Sequence, residues 1–455
     1  MSGGALRVTE TDIPGLLIID LPVHGDARGW FKENWQREKM VALGLPDFQP
    51  VQQNVSFNEQ VGVTRGVHAE PWDKLVSVAH GQIFGAWVDL REGESFGRSV
   101  TVEFGPEKAV FVPRGVGNAY QTLAPQTAYA YLVNDHWTAE ARDSYTFLNL
   151  GDPTVAIDWP IPLADTIRSE ADLNHPVLDA VIPAKPLRTI IIGANGQLGR
   201  ALQAALPNAE AVTREELDLT NPEAFDWSGV GTIINAAAHT AVDAAESERA
   251  TAWAVNVTGV RKLVAIARKH RATLVHVSSD YVFDGTRSEH PEDEPFSPLG
   301  FYGATKAAAD ELVATWDRHY VVRTSWVIGE GKNFIATMAG LAERGIEPTV
   351  VADQHGRLTF TDTLAAGIVH LLRSQADFGT YNLTNSGPVQ TWADIAADVY
   401  ELCGKDRSAV TPVTTEEYAA GRDMAPRPEW STLPLDKISA TGFQVPAPPD
   451  GLGLS

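Results

Sequence analysis

From Leu16 to about Asp158, apolar and polar positions alternate in short stretches that turn residues interrupt. Val61-Gly-Val-Thr-Arg-Gly-Val-His68, Gln82-Ile-Phe-Gly-Ala-Trp-Val-Asp89, Ser99-Val-Thr-Val-Glu-Phe104 and Ala109-Val-Phe-Val-Pro113 show the pattern. Successive side chains of a strand point to opposite faces, so a period of two predicts strands. Several such runs spaced by Gly and Pro predict an all-β sandwich or barrel. Helical spacing is almost absent here outside Arg37 to Leu43.

The second half follows another pattern. Arg188-Thr-Ile-Ile-Ile192 is a short apolar run, followed by a glycine turn and a predicted helix from Gly199 to Leu206. Gly231-Thr-Ile-Ile-Asn235, Thr273-Leu-Val-His-Val-Ser278 and Tyr320-Val-Val-Arg-Thr324 repeat the alternation of apolar run and helical stretch. That alternation predicts βαβ units and a doubly wound parallel sheet of Rossmann type. The seam is the Pro-bearing stretch from His175 to Pro186, so the expected domains are 1–186 and 187–455, the second ending in a small substrate-binding part.

A chain of 455 residues has room for two or three domains. With 36 basic against 58 acidic residues its net charge is −22. That deficit argues against nucleic-acid or anionic-membrane partners, which need clustered cations. Cys403 is the only cysteine, so the chain can form neither an internal disulfide nor a Cys-based zinc cluster. No apolar run reaches the roughly 20 residues of a membrane-spanning helix, and Met1 to Glu10 has no signal-peptide pattern. The expectation is a cytoplasmic enzyme.

The glycine turn Gly193-Ala-Asn195-Gly196-Gln197-Leu198-Gly199 follows a strand and opens a helix. In that place, backbone N–H groups and the positive helix end can approach a pyrophosphate. A tight turn with close helix packing uses the same residues. Downstream, Tyr302-Gly-Ala-Thr-Lys306 puts a phenol and an ammonium on one helical face. A neighbouring ammonium lowers a phenol's pKa and suits it to proton transfer, although a solvated pair has the same spacing. Ser278-Ser279-Asp280 ends the preceding strand, where hydroxyls face the crevice. An acid usually ends the second strand and binds the adenosine ribose. Here Ala211-Val-Thr-Arg214 offers a cation instead, which predicts NADPH, with NADH possible.

With these motifs, residues from about 187 onward resemble the extended short-chain dehydrogenase/reductases, and among them the dTDP-4-dehydrorhamnose reductases. Asn235-Ala236-Ala237-Ala-His239-Thr-Ala-Val-Asp243, Ser279-Asp280-Tyr281-Val-Phe-Asp-Gly285, Arg323-Thr-Ser-Trp-Val327 and Asn333-Phe334 extend the likeness. It implies Tyr302 as proton donor to a sugar C4 oxygen, Lys306 on the nicotinamide ribose and Ser279 on the carbonyl. It also implies His239, Asp280 and Tyr281 in the sugar pocket, and Asp218 near the adenine. Ala236 and Ala237 join the glycine turn as cofactor contacts. Asp353-Gln-His-Gly-Arg-Leu-Thr359 departs from the usual loop at several positions.

The first half gathers Gly25-Asp-Ala-Arg28-Gly, Gln52-Gln-Asn54, Arg65-Gly-Val-His68 and Lys74. Charged groups inside a small barrel are paired or functional, which leaves His68 open between a satisfied interior histidine and a base. His68-Ala-Glu70 permits a metal, but no second histidine pair at strand spacing accompanies it, so a metal-free site is expected.

Residues 6 to 178 resemble the dTDP-4-dehydrorhamnose 3,5-epimerases, which are cupin-like and metal-free. The likeness implies His68 as base, Asp152 as its orienting carboxylate and Lys74 near the developing enolate. It places Arg28, Gln52, Asn54 and Arg65 on the nucleotide and its phosphates. Asn118 stands where that family has a histidine, and His136 where it has a tyrosine acid, with Tyr131 nearby as a retained phenol.

The two resemblances imply consecutive steps, 3,5-epimerisation of a dTDP-activated 4-ketohexose and reduction of its C4 ketone, in a homodimer joined through the barrel. Two other readings stay open. One half could be a binding or assembly module, or both could serve another nucleotide-activated deoxysugar.

Overall fold

The period-two stretches of the first half become two antiparallel sheets in the computed structural model, which describes residues 5–453. One sheet runs in the order Arg7–Glu10, Leu17–Asp20, Lys108–Val112, Lys74–His80, Thr127–Val133, Gln52–Asn58. The other runs Thr146–Phe147, Thr64–Ala69, Val116–Thr122, Ile83–Asp89, Ser99–Phe104. Val76, Val78 and Tyr129 of the first sheet meet Ile83, Trp87 and Tyr120 of the second in one core. This is a cupin-like barrel. Ile83–Asp89 is buried at every position, as a central strand covered on both faces must be. The short helix Arg37–Ala42 falls where the sequence predicts it.

In the second half, six strands form a parallel sheet. Their order is Glu210–Val212, Arg188–Ile192, Val230–Asn235, Thr273–Ser279, His319–Thr324, Gly379–Asn382. Ile190 and Ile192 enter one apolar core and Ile191 the other, so this strand is buried on both faces. The strand order reverses between Arg188–Ile192 and Val230–Asn235, which opens a crevice at their carboxyl ends. A separate core joins the helices Phe334–Glu343 and Trp392–Leu402 through Ile335, Met338, Ile395 and Tyr400.

The first helix of this sheet spans Gln197–Ala205, two residues earlier than the predicted start. Gly199 is therefore inside the first turn and does not precede it. A Cβ there would stand 2.1 Å from the Gly193 carbonyl oxygen, so the glycine permits close packing where the sequence suggested a helix boundary. By compactness the chain divides at Pro186 into Met1–Pro186 and Leu187–Ser455. Among the described residues, no helix is long and apolar enough to cross a membrane.

Candidate active sites

In the first unit, the strand Thr64–Ala69 carries Arg65 and His68 into two adjoining cavities of about 170 and 480 Å3. The smaller one is also lined by Lys74, Asn118, Tyr129 and Tyr131. His68 Nε2 meets Asp172 Oδ1 at 2.7 Å. Asp172 sits in the short helix Glu170–Leu173, whose N-cap Ser169 accepts from the Asp172 backbone N–H. Burial works to raise the Asp172 carboxyl, but the hydrogen bond and charge of His68 outweigh it and hold the group below the usual carboxylate range.

Asp152 is not the partner of His68. Its carboxylate accepts the backbone N–H groups of Thr154, Val155 and Leu178 at 2.9, 2.8 and 2.6 Å, and so ties a loop together. Lys74 is 3% exposed and pairs at 2.8 Å with Glu70, a residue that sequence reasoning weighed only as a metal ligand. Asn118 lies opposite His68 in the strand register and accepts from the Tyr129 hydroxyl at 3.0 Å. Tyr131 faces the same cavity, where burial pushes its phenol up to about 12. His136 does not reach it. The strand ends at Val133, and His136 is exposed beyond that end, outside the lining of both cavities.

The expected nucleotide contacts divide. Arg65 lines both cavities. Arg28 lies in the hairpin His24–Asp26/Gly29–Phe31 with its side chain 90% exposed and paired to Asp26, away from both. Gln52 and Asn54 bond to each other on the edge strand, and only their pleat mate Ser56 lines a cavity. Arg142 and Arg168 line the larger cavity and were missed, because nothing in their local sequence marks them.

Zinc held by His or carboxylate at about 2.0–2.1 Å sets tetrahedral ligands about 3.3 Å apart. His68, Asp172 and His175 fall within 4.8 Å of one another, but the 2.7 Å contact is hydrogen-bond spacing. This set reads as a hydrogen-bonded dyad with His175 Nε2 at 4.0 Å from Asp172.

In the second unit, Ser279 ends its strand, and Tyr302 and Lys306 share the helix Phe301–Ala314. A Cβ at Gly303 would stand 2.1 Å from the Tyr281 carbonyl oxygen, so the glycine lets this helix press onto the turn after Ser279. The Ser279 hydroxyl lies near the Tyr302 phenol and favours its ionised form. The Tyr281 ring packs edge-on to Tyr302 at 5.8 Å. Lys306 is buried and donates to the Val277 carbonyl at 2.7 Å. Burial lowers Lys306 to about 8. The spacing predicted a lowered phenol, and the structure reverses that. Burial raises Tyr302 well above its ordinary value, nearby Asp280 adds to the rise, and the neighbouring Ser279 hydroxyl only partly offsets it. Asp280 is 3% exposed behind Ser279, whose hydroxyl it accepts at 2.9 Å, and so does not face open space. Burial raises its carboxyl to about 6 against hydrogen bonds from Ser431 and Ser279.

A cleft of about 310 Å3 at the crevice is lined by Gly193, Arg214, Asp218, Ala237 and His239. Gly193 has a φ of +92°, and a Cβ there would stand 3.0 Å from the Ala237 nitrogen, so the turn packs against the next strand end only with glycine there. Ala236 donates its backbone N–H to the Ile192 carbonyl beside the turn. Arg214 is exposed directly after the second strand. These residues fit a dinucleotide. Others of the turn are engaged elsewhere. Leu198 enters the core, the Gln197 amide donates to the Lys332 carbonyl, and the Asn195 carbonyl accepts from Arg200. His239 Nε2 faces Glu248 at 3.2 Å.

The sequence pattern of the family described as dTDP-4-dehydrorhamnose 3,5-epimerase matches residues 10–180, and that of the RmlD substrate binding domain matches residues 187–450. A protein of Streptococcus pyogenes described as an RmlC homolog is 52% identical over 180 residues, 38% of this chain and 90% of its own length. A dTDP-4-dehydrorhamnose reductase of Aggregatibacter actinomycetemcomitans is 36% identical over 280 residues, 56% of this chain and 94% of its own. The crystal structure of a Bacillus anthracis dTDP-4-dehydrorhamnose reductase in complex with NADP matches with TM-score 0.54 and 34% identity, covering 59% of this chain and 97% of that one.

Proposed function

The chain belongs to the family of the RmlD substrate binding domain, joined here to a dTDP-4-dehydrorhamnose 3,5-epimerase domain, and from that premise we propose how its own residues carry both reactions. The substrate is dTDP-4-dehydro-6-deoxy-D-glucose. The barrel inverts C3 and C5, and the Rossmann-type unit then reduces the C4 ketone to give dTDP-L-rhamnose.

His68 removes the proton α to the ketone, and Asp172 fixes the imidazole orientation and stabilises its charged form. Lys74, held by Glu70, faces the enolate oxygen as charge develops there. Tyr131 returns a proton from another wall of the same cavity. Arg65, with Arg142 and Arg168, offers cations to the diphosphate. In the other unit NADPH, when bound, supplies the hydride. The glycine turn cradles its pyrophosphate and Arg214 meets the 2′-phosphate. Ser279 polarises the ketone, Tyr302 gives its phenolic proton to O4, and Lys306 holds the ribose and stabilises the phenolate.

The observation that carries this reading is that His68 is hydrogen-bonded to Asp172 in one unit, while in the other Ser279 ends its strand and Tyr302 and Lys306 share one helix. Incubation with the ketosugar and NADPH in D2O tests it. Deuterium at C3 and C5 of a dTDP-L-rhamnose product is expected, and a reduced but undeuterated sugar overturns the epimerase half.

Another nucleotide-activated deoxysugar is the second reading. A dTDP-4-keto-6-deoxy-D-glucose reductase of Streptomyces niveus is 38% identical over 268 residues, as similar as the rhamnose reductases. The stereochemistry of the product decides between them.

The edge strand Gln52–Asn58 pairs on one side only and turns Val55 and Phe57 outward, 64% and 57% exposed. Covering that edge supports a homodimer through the barrel, which light scattering of the purified protein tests. A cytoplasmic location suits a cofactor such as NADPH.

A further inference from the structure

Two side chains that the mechanism above does not use form a buried line with the reductase lysine. Asn235, His276 and Lys306 are exposed by only 1%, 1% and 2%. Asn235 Oδ1 accepts the Ala237 backbone N–H at 3.2 Å. That fixes the amide orientation, and its Nδ2 then meets His276 Nδ1 at 3.1 Å. On the other side of the ring, His276 Nε2 meets Lys306 Nζ at 3.3 Å. Nζ donates to the Val277 carbonyl at 2.7 Å.

The directions of these bonds restrict one another. An amide nitrogen can only donate, so His276 Nδ1 must accept. A neutral imidazole carries one proton, so it must then lie on Nε2. That N–H points at Lys306, whose nitrogen can accept only as an uncharged amine. We propose that His276 is a positioning residue that favours the neutral-amine form of Lys306 over its ammonium, through a hydrogen-bond chain running from Ala237 through Asn235 and His276 to Lys306 and the Val277 carbonyl. The inference rests on the reading of Tyr302 and Lys306 as the reductase pair.

Protonating Lys306 from solvent uses up its lone pair and reverses the chain. The ammonium must donate to Nε2, His276 must move its proton to Nδ1, and that N–H then meets the Asn235 amide donor. Relief comes when Asn235 turns over and releases Ala237, which lines the nucleotide cleft. The charge on Lys306 is thereby coupled to the wall of the cleft.

The other groups around Lys306 fit this account. Burial takes His276 well below its ordinary value, with the Lys306 charge as the lesser cause, so the ring is neutral. Burial also lowers Lys306, and a donor aimed at its lone pair favours the amine further. Asp310, four residues on in the same helix, works the other way. It is engaged by Arg323 at 3.0 Å, and burial raises its own carboxyl. Tyr302, one turn before, is a neutral phenol through the same range.

Two isosteric changes test the chain in the full-length protein. Asn235→Asp presents an acceptor to both Ala237 and His276, which drives the ring proton to Nδ1 and lets Nε2 accept from an ammonium. His276→Gln can turn its amide oxygen to Lys306 with the same effect. At a pH above the alkaline limb, where Lys306 is the amine, the nitrogen resonances of His276, identified by their loss in His276→Gln, are expected to report the Nε2-protonated tautomer in the wild type and the Nδ1-protonated one in Asn235→Asp. The alkaline fall of kcat/KM for ketone reduction should move up in both variants by as much as about one pH unit, the size set by one hydrogen bond. An Nδ1-protonated wild type at that pH, or an alkaline limb unmoved in both variants, overturns the proposal. If one variant does not fold, the other and the wild-type tautomer decide it. A wild type that reduces no ketosugar overturns the reductase reading, while the tautomer measurement still decides the chain.

Discussion

The two proton-transfer sets are built in opposite ways. In the barrel the base and its carboxylate are 104 residues apart, one on a strand and the other on a single-turn helix after the sheet is complete. In the Rossmann-type unit, Tyr302 and Lys306 lie four residues apart on one helix and are set by its geometry alone. The electrostatics differ as well. His68 and Asp172 form a half-open pair whose side chains are 33% and 6% exposed, whereas Lys306 is fully buried and Tyr302 half-buried. The first set depends on a docked segment staying in place. The second depends on burial, which favours the uncharged form of both its members.

The largest expected effect separates the two sites by mutation. Tyr302→Phe should lower NADPH oxidation by roughly 10²–10⁴-fold, the range for a lost general acid, while deuterium still enters C3 and C5. His68→Asn should do the reverse, with a comparable loss of exchange and full reduction of sugar that is already epimerised. Loss of both activities in either variant would show that the units do not act separately.

A next step asks which carboxylate serves the base. Asp172→Asn should cost about 10² or more in exchange rate, because the imidazole loses both its orientation and its counter-charge. Asp152→Asn should leave exchange per folded molecule near wild type. It weakens three backbone hydrogen bonds, so melting should report a loss of about 1–3 kcal/mol. Equal loss of exchange in both would sink the distinction.

The pH profiles sharpen the electrostatic contrast. Lys306, lowered to about 8, should set the alkaline limb of ketone reduction near pH 8, with Tyr302 titrating far above it. Its effect on stability has the opposite sign to activity. Between about 8 and the ordinary lysine value of 10.5 the unfolded chain binds more protons, so this group's contribution rises with pH over that window. Asp172, held low, contributes stability above its unfolded value, and that is lost as pH falls through its folded value. Epimerase exchange should therefore fail on the acid side, and reduction on the alkaline side. A shared limb would contradict the assignment.

Smaller effects come last. Arg214→Ala should reduce the preference for NADPH over NADH by about tenfold, as one charge-assisted contact implies, with little change in kcat. An unchanged ratio would remove Arg214 from the 2′-phosphate. Prolonged chelation should leave deuterium exchange unaltered, and its loss with recovery on adding a divalent ion would reinstate the cluster of His68, Asp172 and His175 as a metal site.

How far each site could be read in advance follows from this contrast. The Tyr302–Lys306 face, the strand-end Ser279 and the glycine turn are patterns a few residues long, and helix or strand geometry carries them directly into space. His68 was legible as an interior histidine or a base, but its partner was not. Asp152 and Asp172 both follow the barrel strands, and nothing local says which loop returns to the base. His136 failed for a related reason. It was placed by the family resemblance alone, and the strand that carries Tyr131 ends at Val133, leaving His136 exposed beyond it.

The sequence by itself determined the two kinds of fold, because periods of two and alternating βα units decide which face each side chain takes. It also determined the residue types available for proton transfer. Tertiary structure alone decided that Asp172 serves His68, that Lys74 is held by Glu70, and that Asn235 and His276 lead to Lys306. The first and last of these join elements far apart in the chain, and Glu70 meets Lys74 across the short turn between the strands Thr64–Ala69 and Lys74–His80. Tertiary structure also set the charge balance of the reductase pair, since desolvation depends on what packs around a group. The spacing of Tyr302 and Lys306 predicts a lowered phenol, and burial reverses that sign.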